Sequence, residues 1–349
     1  MAGRTAVAPV TAAELRERIG RVPRVPLAHA PTPLEEYPRF ARALGTTARI
    51  FVKRDDLTGV ALGGNKVRNL EFRLADALAQ GADTLLLGVD ILSNSARQTA
   101  AVANRHGLRC VLVLVGREPD GPPRGNLLID RLLGAEVHFA PDVAAQQATL
   151  ERLAGELAAA GRRPYVMTAT PFFAQAAALA YADCTLELLD QLEALGLGAP
   201  DALYISSSGK GVAGPLLAVR ALGLPTRLVS VSPRDTGGAA LGAAAEVCAG
   251  AAGLLGLDLR GRPADHQHRD EYGPPGYGVT NPAALEAIRL LARTEGLLLD
   301  PVYTGKAVAG LIGDARRGRI GPGEIVVYVH TGGLPLIFDH DADLLPILS

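Results

Sequence analysis

Lysine is scarce in this chain, and the scarcity narrows where amine chemistry can sit. Positive charge comes almost wholly from arginine; the lysines are Lys53, Lys66, Lys210 and Lys306. Lys66 stands in Gly63-Gly64-Asn65-Lys66-Val67-Arg68-Asn69-Leu70-Glu71, shortly after Arg54-Asp55-Asp56. Two glycines let the backbone turn tightly, and the residues that follow predict a helix from about Lys66 through Leu78. A lysine in the first turn lies against the positive end of the helix dipole, which disfavours its protonated form. The neutral amine is the form that condenses with a carbonyl to give an imine. The same short motif also fits a solvated lysine behind a loop, so spacing alone leaves both readings open.

Two further segments offer anion chemistry. Ser93-Asn94-Ser95-Ala96-Arg97-Gln98-Thr99 follows an apolar run and opens a helical pattern. Its hydroxyls, amide and unpaired backbone N–H groups suit an anion, or merely an N-cap by Ser93 or Ser95. Ser206-Ser207-Ser208-Gly209-Lys210-Gly211-Val212-Ala213-Gly214 also joins a strand to a helix. It predicts a phosphate cradle, or otherwise a flexible turn. A P-loop is excluded: Tyr204 stands where that motif needs its first glycine, and Gly211 follows the lysine instead of Ser or Thr. Leu299-Asp300-Pro301-Val302-Tyr303-Thr304-Gly305-Lys306 and His330-Thr331-Gly332-Gly333-Leu334-Pro335 each put a hydroxyl at an element end. Taken singly, these are a helix N-cap by Thr304 and a strand exit, with His330 a structural donor or acceptor. No HExxH, His/Cys cluster or Gly-x-Ser-x-Gly occurs, so metal and serine hydrolase chemistry have no support.

The elements that must position these groups alternate in type. Thr84–Val89, Cys110–Val115, Glu136–Phe139 and Tyr165–Met167 read as buried strands, with helices at Ala96–Arg105, Asn126–Leu133 and Ala144–Ala159 between them. After residue 190 come strands Ala202–Ser206 and Arg227–Val231, and helices Ala213–Ala221, Ala239–Ala249, Pro282–Glu295 and Lys306–Ala315. A last strand is expected at Glu324–Val329. Alternation of this kind predicts an α/β fold of two doubly wound units with mostly parallel sheets. Ligands of such folds sit at the carboxyl ends of the strands. The Gly- and Pro-rich stretch Leu257–Thr280 reads as a loop, and the segment to about Leu34, with four prolines from Pro23 to Pro33, as an arm over the body.

Composition bounds the partners. The chain has 349 residues, 48% hydrophobic and 20% charged, which suits two globular domains. A net charge of −1 without a basic stripe argues against nucleic acid and acidic membrane surfaces. No signal-peptide core or run of 18 apolar residues is visible, and three scattered cysteines (Cys110, Cys184, Cys248) suit a reducing cytoplasm.

Taken together and in order, these segments resemble the family of 1-aminocyclopropane-1-carboxylate (ACC) deaminase and D-cysteine desulfhydrase. These are fold-type-II enzymes of pyridoxal 5′-phosphate (PLP), related to the tryptophan synthase β chain. The resemblance runs from Pro31-Thr32-Pro33-Leu34 to His330-Thr331-Gly332-Gly333. It is carried by Lys53-Arg54-Asp55-Asp56-Leu57 with Gly63-Gly64-Asn65-Lys66-Val67-Arg68, and by Thr294-Glu295-Gly296 and Asp300-Pro301-Val302-Tyr303. It implies that Lys66 holds PLP as a Schiff base and later moves protons. Asn94 would face the cofactor's 3′-oxygen, and Ser93 the substrate carboxylate or α-carbon. The loop Ser207, Ser208, Gly209, Lys210, Gly211, Val212, Ala213, Gly214 would hold the phosphate. Thr331 would bond the ring nitrogen, with Tyr277 and Tyr303 facing the substrate. A hydroxyl at that nitrogen leaves the ring largely unprotonated, which suits loss of a β-substituent.

Departures fall on the substrate side. The family's Gln-Ser-Asn followed by His or Gln reads Leu92-Ser93-Asn94-Ser95, a Thr of the phosphate loop is Gly211, and a Gly-Gly-Ser-Asn-like loop reads Thr168-Ala169-Thr170-Pro171-Phe172-Phe173. Thr304 stands where ACC deaminases carry Glu. The resemblance therefore implies a PLP-dependent lyase or deaminase of a small amino acid. β-Elimination to a 2-oxo acid and ammonia is expected first; β-replacement, ACC-type ring opening and a non-catalytic binding protein are the alternatives. It also implies a cytoplasmic homodimer. Residues 1–68 plus 185–349 are expected to form a large cofactor domain, with a small domain, 69–184, inserted.

Overall fold

The computed structural model describes residues 9–234, 236 and 238–348. Ten strands occur among them: β1 (Leu34–Glu36), β2 (Arg49–Lys53), β3 (Thr84–Asp90), β4 (Arg109–Val115), β5 (Glu136–Ala140), β6 (Pro164–Val166), β7 (Ala202–Ser206), β8 (Arg227–Val231), β9 (Gln267–Arg269) and β10 (Ile325–Val329). They form two sheets, in the orders β1-β2-β10-β7-β8-β9 and β5-β4-β3-β6. Every pairing is parallel except β1 with β2. The long helices are α1 (Ala12–Gly20), α2 (Lys66–Ala79), α3 (Asn94–Arg105), α4 (Gly125–Leu132), α5 (Val143–Ala159), α6 (Phe172–Ala194), α7 (Ala213–Leu222), α8 (Ala239–Leu254), α9 (Pro282–Glu295) and α10 (Thr304–Arg316). The doubly wound α/β architecture expected from the alternating pattern is present.

The central strands are buried on both faces, which is why they read as unbroken apolar runs. Leu85, Leu86 and Leu87 of β3, and Val326 and Val327 of β10, are wholly inaccessible. Three findings differ from the sequence reading. The N-terminal segment contains α1, started by a capping box between Thr11 and Glu14 and pinned by Leu15 and Ile19 in the core. Within Leu257–Thr280, Gln267–Arg269 is a strand at the edge of the larger sheet. The third is α6, 23 residues long and absent from the sequence reading. It packs against α2, α7 and α8. Most of its residues are buried or half-buried, so its burial is not confined to one periodic stripe.

The three cysteines are buried thiols. Close backbone approaches are made by glycine: a Cβ on Gly214 would lie 2.4 Å from Tyr181 Cβ, so Gly214 lets α7 pack hard against α6.

Candidate active site

A cavity of about 560 Å³ opens at the carboxyl ends of strands from both sheets, where parallel α/β folds bind ligands. β3 supplies Val89 and Asp90, β7 supplies Ser206, the segment after β8 supplies Pro233 and Arg234, and the exit of β10 supplies Thr331 and Gly332. Asn65 and Lys66 at the start of α2, and Ser93 and Asn94 at the start of α3, complete one wall; Tyr277 and Tyr303 complete another.

The backbone reaches Lys66 through an unusual path. Ala61, Leu62, Gly63 and Gly64 all have positive φ, and a Cβ on Gly63 would lie 1.9 Å from Asp56 O. Gly64 and Gly332 touch across the cavity floor: a Cβ on Gly332 would meet Gly64 Cα at 2.7 Å. Asn65 N donates to Thr331 O at 3.0 Å. These approaches place the first turn of α2 beside the exit of β10.

The four lysines separate cleanly. Lys53 is fully buried, ion-paired to Glu187, and bonded to Thr32 O and Gln191 Oε1. Lys306 gives its protons to the carbonyls of Pro233, Gly273 and Gly276. Only Lys66 and Lys210 line the cavity, and Lys66 Nζ has no hydrogen-bond or ion-pair partner among the described residues. Burial lowers the Lys66 amine to about 8, with the Arg73 guanidinium adding to the effect. Burial is thus a larger cause than the neighbouring charge, and the helix terminus acts in the same direction. The neutral form exists above pH 8, so imine formation with added PLP is expected to rise about tenfold per unit below pH 8 and to flatten above it. Stopped-flow absorbance measures this; a rate still climbing steeply past pH 9 would return the amine to its ordinary value.

Asn94 is oriented from behind. Its Oδ1 accepts from Arg97 Nη2 and from Asn126 Nδ2, each at 3.2 Å, which turns its Nδ2 donor toward the cavity. Ser93 both lines the cavity and caps α3, accepting from Ser95 N at 3.2 Å. Leu92 lies beside the tyrosine loop: a Cβ on Gly278 would lie 2.7 Å from Leu92 Cδ1.

The serine–glycine loop divides into two layers. Ser207, Ser208, Lys210 and Gly211 line the cavity. Ser207 Oγ accepts from Gly209 N and Val212 N, so its hydroxyl also shapes the turn. Gly209, at φ 113°, passes 2.6 Å (as Cβ) from Ala240 O. Gly209, Val212, Ala213 and Gly214 do not line the cavity; they lie beneath it and carry the loop into α7.

The phenols of Tyr277 and Tyr303 bond each other, with ring centroids 5.7 Å apart. Burial raises both above the ordinary tyrosine range. Asp300 fixes Tyr303: its carboxylate accepts from the N–H groups of Val302, Tyr303 and Thr304 and from Thr304 Oγ1 at 2.6 Å. Thr304 is thus the first residue of α10 and not its N-cap, and Asp300 holds the turn that leads into the helix. Lys306 ties down the chain at Gly273 and Gly276, next to Tyr277. His330 accepts from Gly332 N and contacts Leu298 O, a structural role.

The sequence reading passed over Asp90, Arg234, Thr236 and Pro233, which line the cavity together with Asn65 of the lysine motif and Ser206 of the serine–glycine loop. Ser206 Oγ is buried without a hydrogen-bond partner among the described residues. Asp90 had a visible sign: a carboxylate ending an apolar strand run.

Comparisons with known proteins point to one family. The description "Pyridoxal-phosphate dependent enzyme" matches residues 25–332. D-cysteine desulfhydrase of Salmonella typhi is 39% identical over 324 residues, 91% of this chain and 96% of the relative. The D-cysteine desulfhydrase of Salmonella newport matches to the same extent. A solved structure described as an ACC deaminase homologue superposes with a TM-score of 0.86 at 34% identity, covering 96% of this chain and 99% of its own.

Proposed function

The chain belongs to the pyridoxal-phosphate-dependent enzymes, and from that premise we propose that it is a lyase that eliminates the β-substituent of a small amino acid, releasing a 2-oxo acid and ammonia. The observation that carries this reading is the half-buried, unpartnered Lys66 amine in a cavity ringed by hydroxyls. The cavity residues fit PLP. An amine held at about 8 suits its aldehyde, and the orphaned Ser206 hydroxyl with Ser208, Lys210 and Gly211 suits its phosphate. Once bound, the cofactor supplies an electron sink for charge developing at the substrate α-carbon.

The chain's own groups do the remaining work. Asn94 Nδ2 would hold the cofactor's 3′-oxygen, and the Thr331 hydroxyl its ring nitrogen. Lys66 Nζ takes and returns the proton at the α-carbon, with the Ser93 and Tyr303 hydroxyls assisting and Tyr277 holding Tyr303 in place. The strand-end position of these groups keeps them on rigid elements while the loops close the walls.

Residues 1–68 plus 185–349 act as the large cofactor domain and 69–184 as the small one, so the site sits between their sheets. The working unit is a cytoplasmic homodimer with no nucleic-acid or membrane partner. The test is release of 2-oxo acid and ammonia from D- and L-cysteine, β-chloroalanine and ACC, with and without an added thiol. Turnover without the thiol supports elimination; dependence on it means β-replacement, and no turnover at all overturns the reading. The same preparation should sediment at twice the 36.3 kDa chain mass.

A further inference from the structure

Asp90 brings a carboxylate into a cavity otherwise furnished with cations, hydroxyls and amides. It ends β3, half-buried, and lines the cavity. Its Oδ1 accepts from Leu92 N at 3.0 Å, which fixes the carboxylate plane. Its Oδ2 has no hydrogen-bond or ion-pair partner among the described residues. Arg234, the cation whose charge it feels, stacks over the Tyr277 ring with its guanidinium carbon 4.2 Å from the centroid. The charge of Asp90 in turn bears on the phenols of Tyr277 and Tyr303. Asp90 therefore sits on the tyrosine side of the cavity, the side that faces the substrate in the lyase reading.

A carboxylate there is costly unless something uses it. Burial raises its pKa, opposed by the Leu92 N–H and by Arg234, so the charged form lacks a full complement of donors. A ligand bearing a cationic donor would repair that deficit, and a thiolate or a carboxylate would worsen it. An apolar pocket discriminates poorly between substituents of similar size, whereas a polar group left unpaired by the wrong ligand discriminates strongly.

We propose that Asp90 sets the choice of leaving group, and that the substrate class is a small amino acid with a β-ammonium, of which 2,3-diaminopropionate is the simplest. The proposal rests on the lyase reading and specifies its substrate. Elimination then breaks the Cβ–N bond with the electron pair leaving on nitrogen, and the α-carbon loses a proton. Hydrolysis consumes one water, so each diaminopropionate gives one pyruvate and two ammonia.

The test compares kcat/KM for 2,3-diaminopropionate, cysteine and β-chloroalanine, both enantiomers of each, in the wild-type holoenzyme, D90N and D90A. A retained visible cofactor band reports that each variant is folded and loaded. The wild type is expected to favour diaminopropionate. In both variants its kcat/KM relative to β-chloroalanine falls by about 10- to 100-fold, the size of a lost charge-assisted hydrogen bond. The concentration that half-shifts the visible band with diaminopropionate rises in parallel. A wild type that favours cysteine, or a ratio unmoved in both variants while β-chloroalanine is turned over, overturns the role of Asp90 and leaves the lyase reading standing. Failure of every amino acid to react overturns both.

Discussion

Lys66→Ala is expected to abolish the visible absorbance band of the PLP-loaded protein and to lower turnover by at least about 10⁴-fold, the combined loss of a covalent anchor and a proton carrier. No other amine can substitute. Lys53 is locked against Glu187, Thr32 O and Gln191, and Lys306 is spent on three carbonyls. Lys210 lines the cavity from the serine–glycine loop, where the proposed function places the cofactor's phosphate. Lys210→Ala therefore makes the informative control: the band persists, and more PLP is needed to saturate it. A K66A protein that keeps the band would move the anchor to Lys210 and reverse the orientation of the cofactor. Absorbance spectra of both variants, at matched PLP, decide between these outcomes.

The residues of the candidate site were legible where one residue type was rare or a short motif was dense. Four lysines in 349 residues made Lys66 stand out, and the serines and glycines of 206–214 marked a strand-to-helix turn. The parallel strands were legible because burial on both faces writes them as apolar runs. What stayed hidden depends on distance in the chain. Asp90 reads as the end of a strand, and only the fold shows it beside Tyr277, contributed from almost two hundred residues away. Arg97 and Asn126 look like ordinary helical residues, yet together they turn the Asn94 amide. The layering of the serine–glycine loop was equally hidden, since a Cβ at Gly209 or Gly214 would meet Ala240 or Tyr181. Within the expected arm α1 was missed, and so was α6, for the corresponding reason: their partners are non-local.

The missed helix α6 carries the second large prediction. Asp55 stands in the Arg54-Asp55-Asp56 run that precedes Lys66, and its carboxylate is wholly buried. It accepts from Arg68 Nε at 2.9 Å and Nη2 at 3.0 Å, from Thr32 Oγ1 at 2.8 Å, and from Tyr181 on α6 at 2.8 Å. Glu187, also on α6, pairs with Arg68 and Lys53. Two carboxylates and two cations thus tie α6 to β2 and to α2, two residues beyond Lys66. Burial works to raise the Asp55 pKa, but the Arg68 charge and then the hydrogen bonds from Arg68, Tyr181 and Thr32 outweigh it and hold it below the usual carboxylate value. A depressed folded pKa means that the stabilisation is fully present at neutral pH and fades as pH falls through the folded value. Asp55→Ala leaves Arg68 short of its main counter-charge and is expected to cost about 3–5 kcal/mol at neutral pH, read from the denaturant midpoint. Asp56→Ala removes only a partly exposed pair with Arg54 and is expected to cost about 1 kcal/mol or less. Because Arg68 lies on the first turns of α2, D55A should also release PLP more readily than D56A. Equal losses for the two variants would mean that the quartet does not hold α2, and with it Lys66, in place.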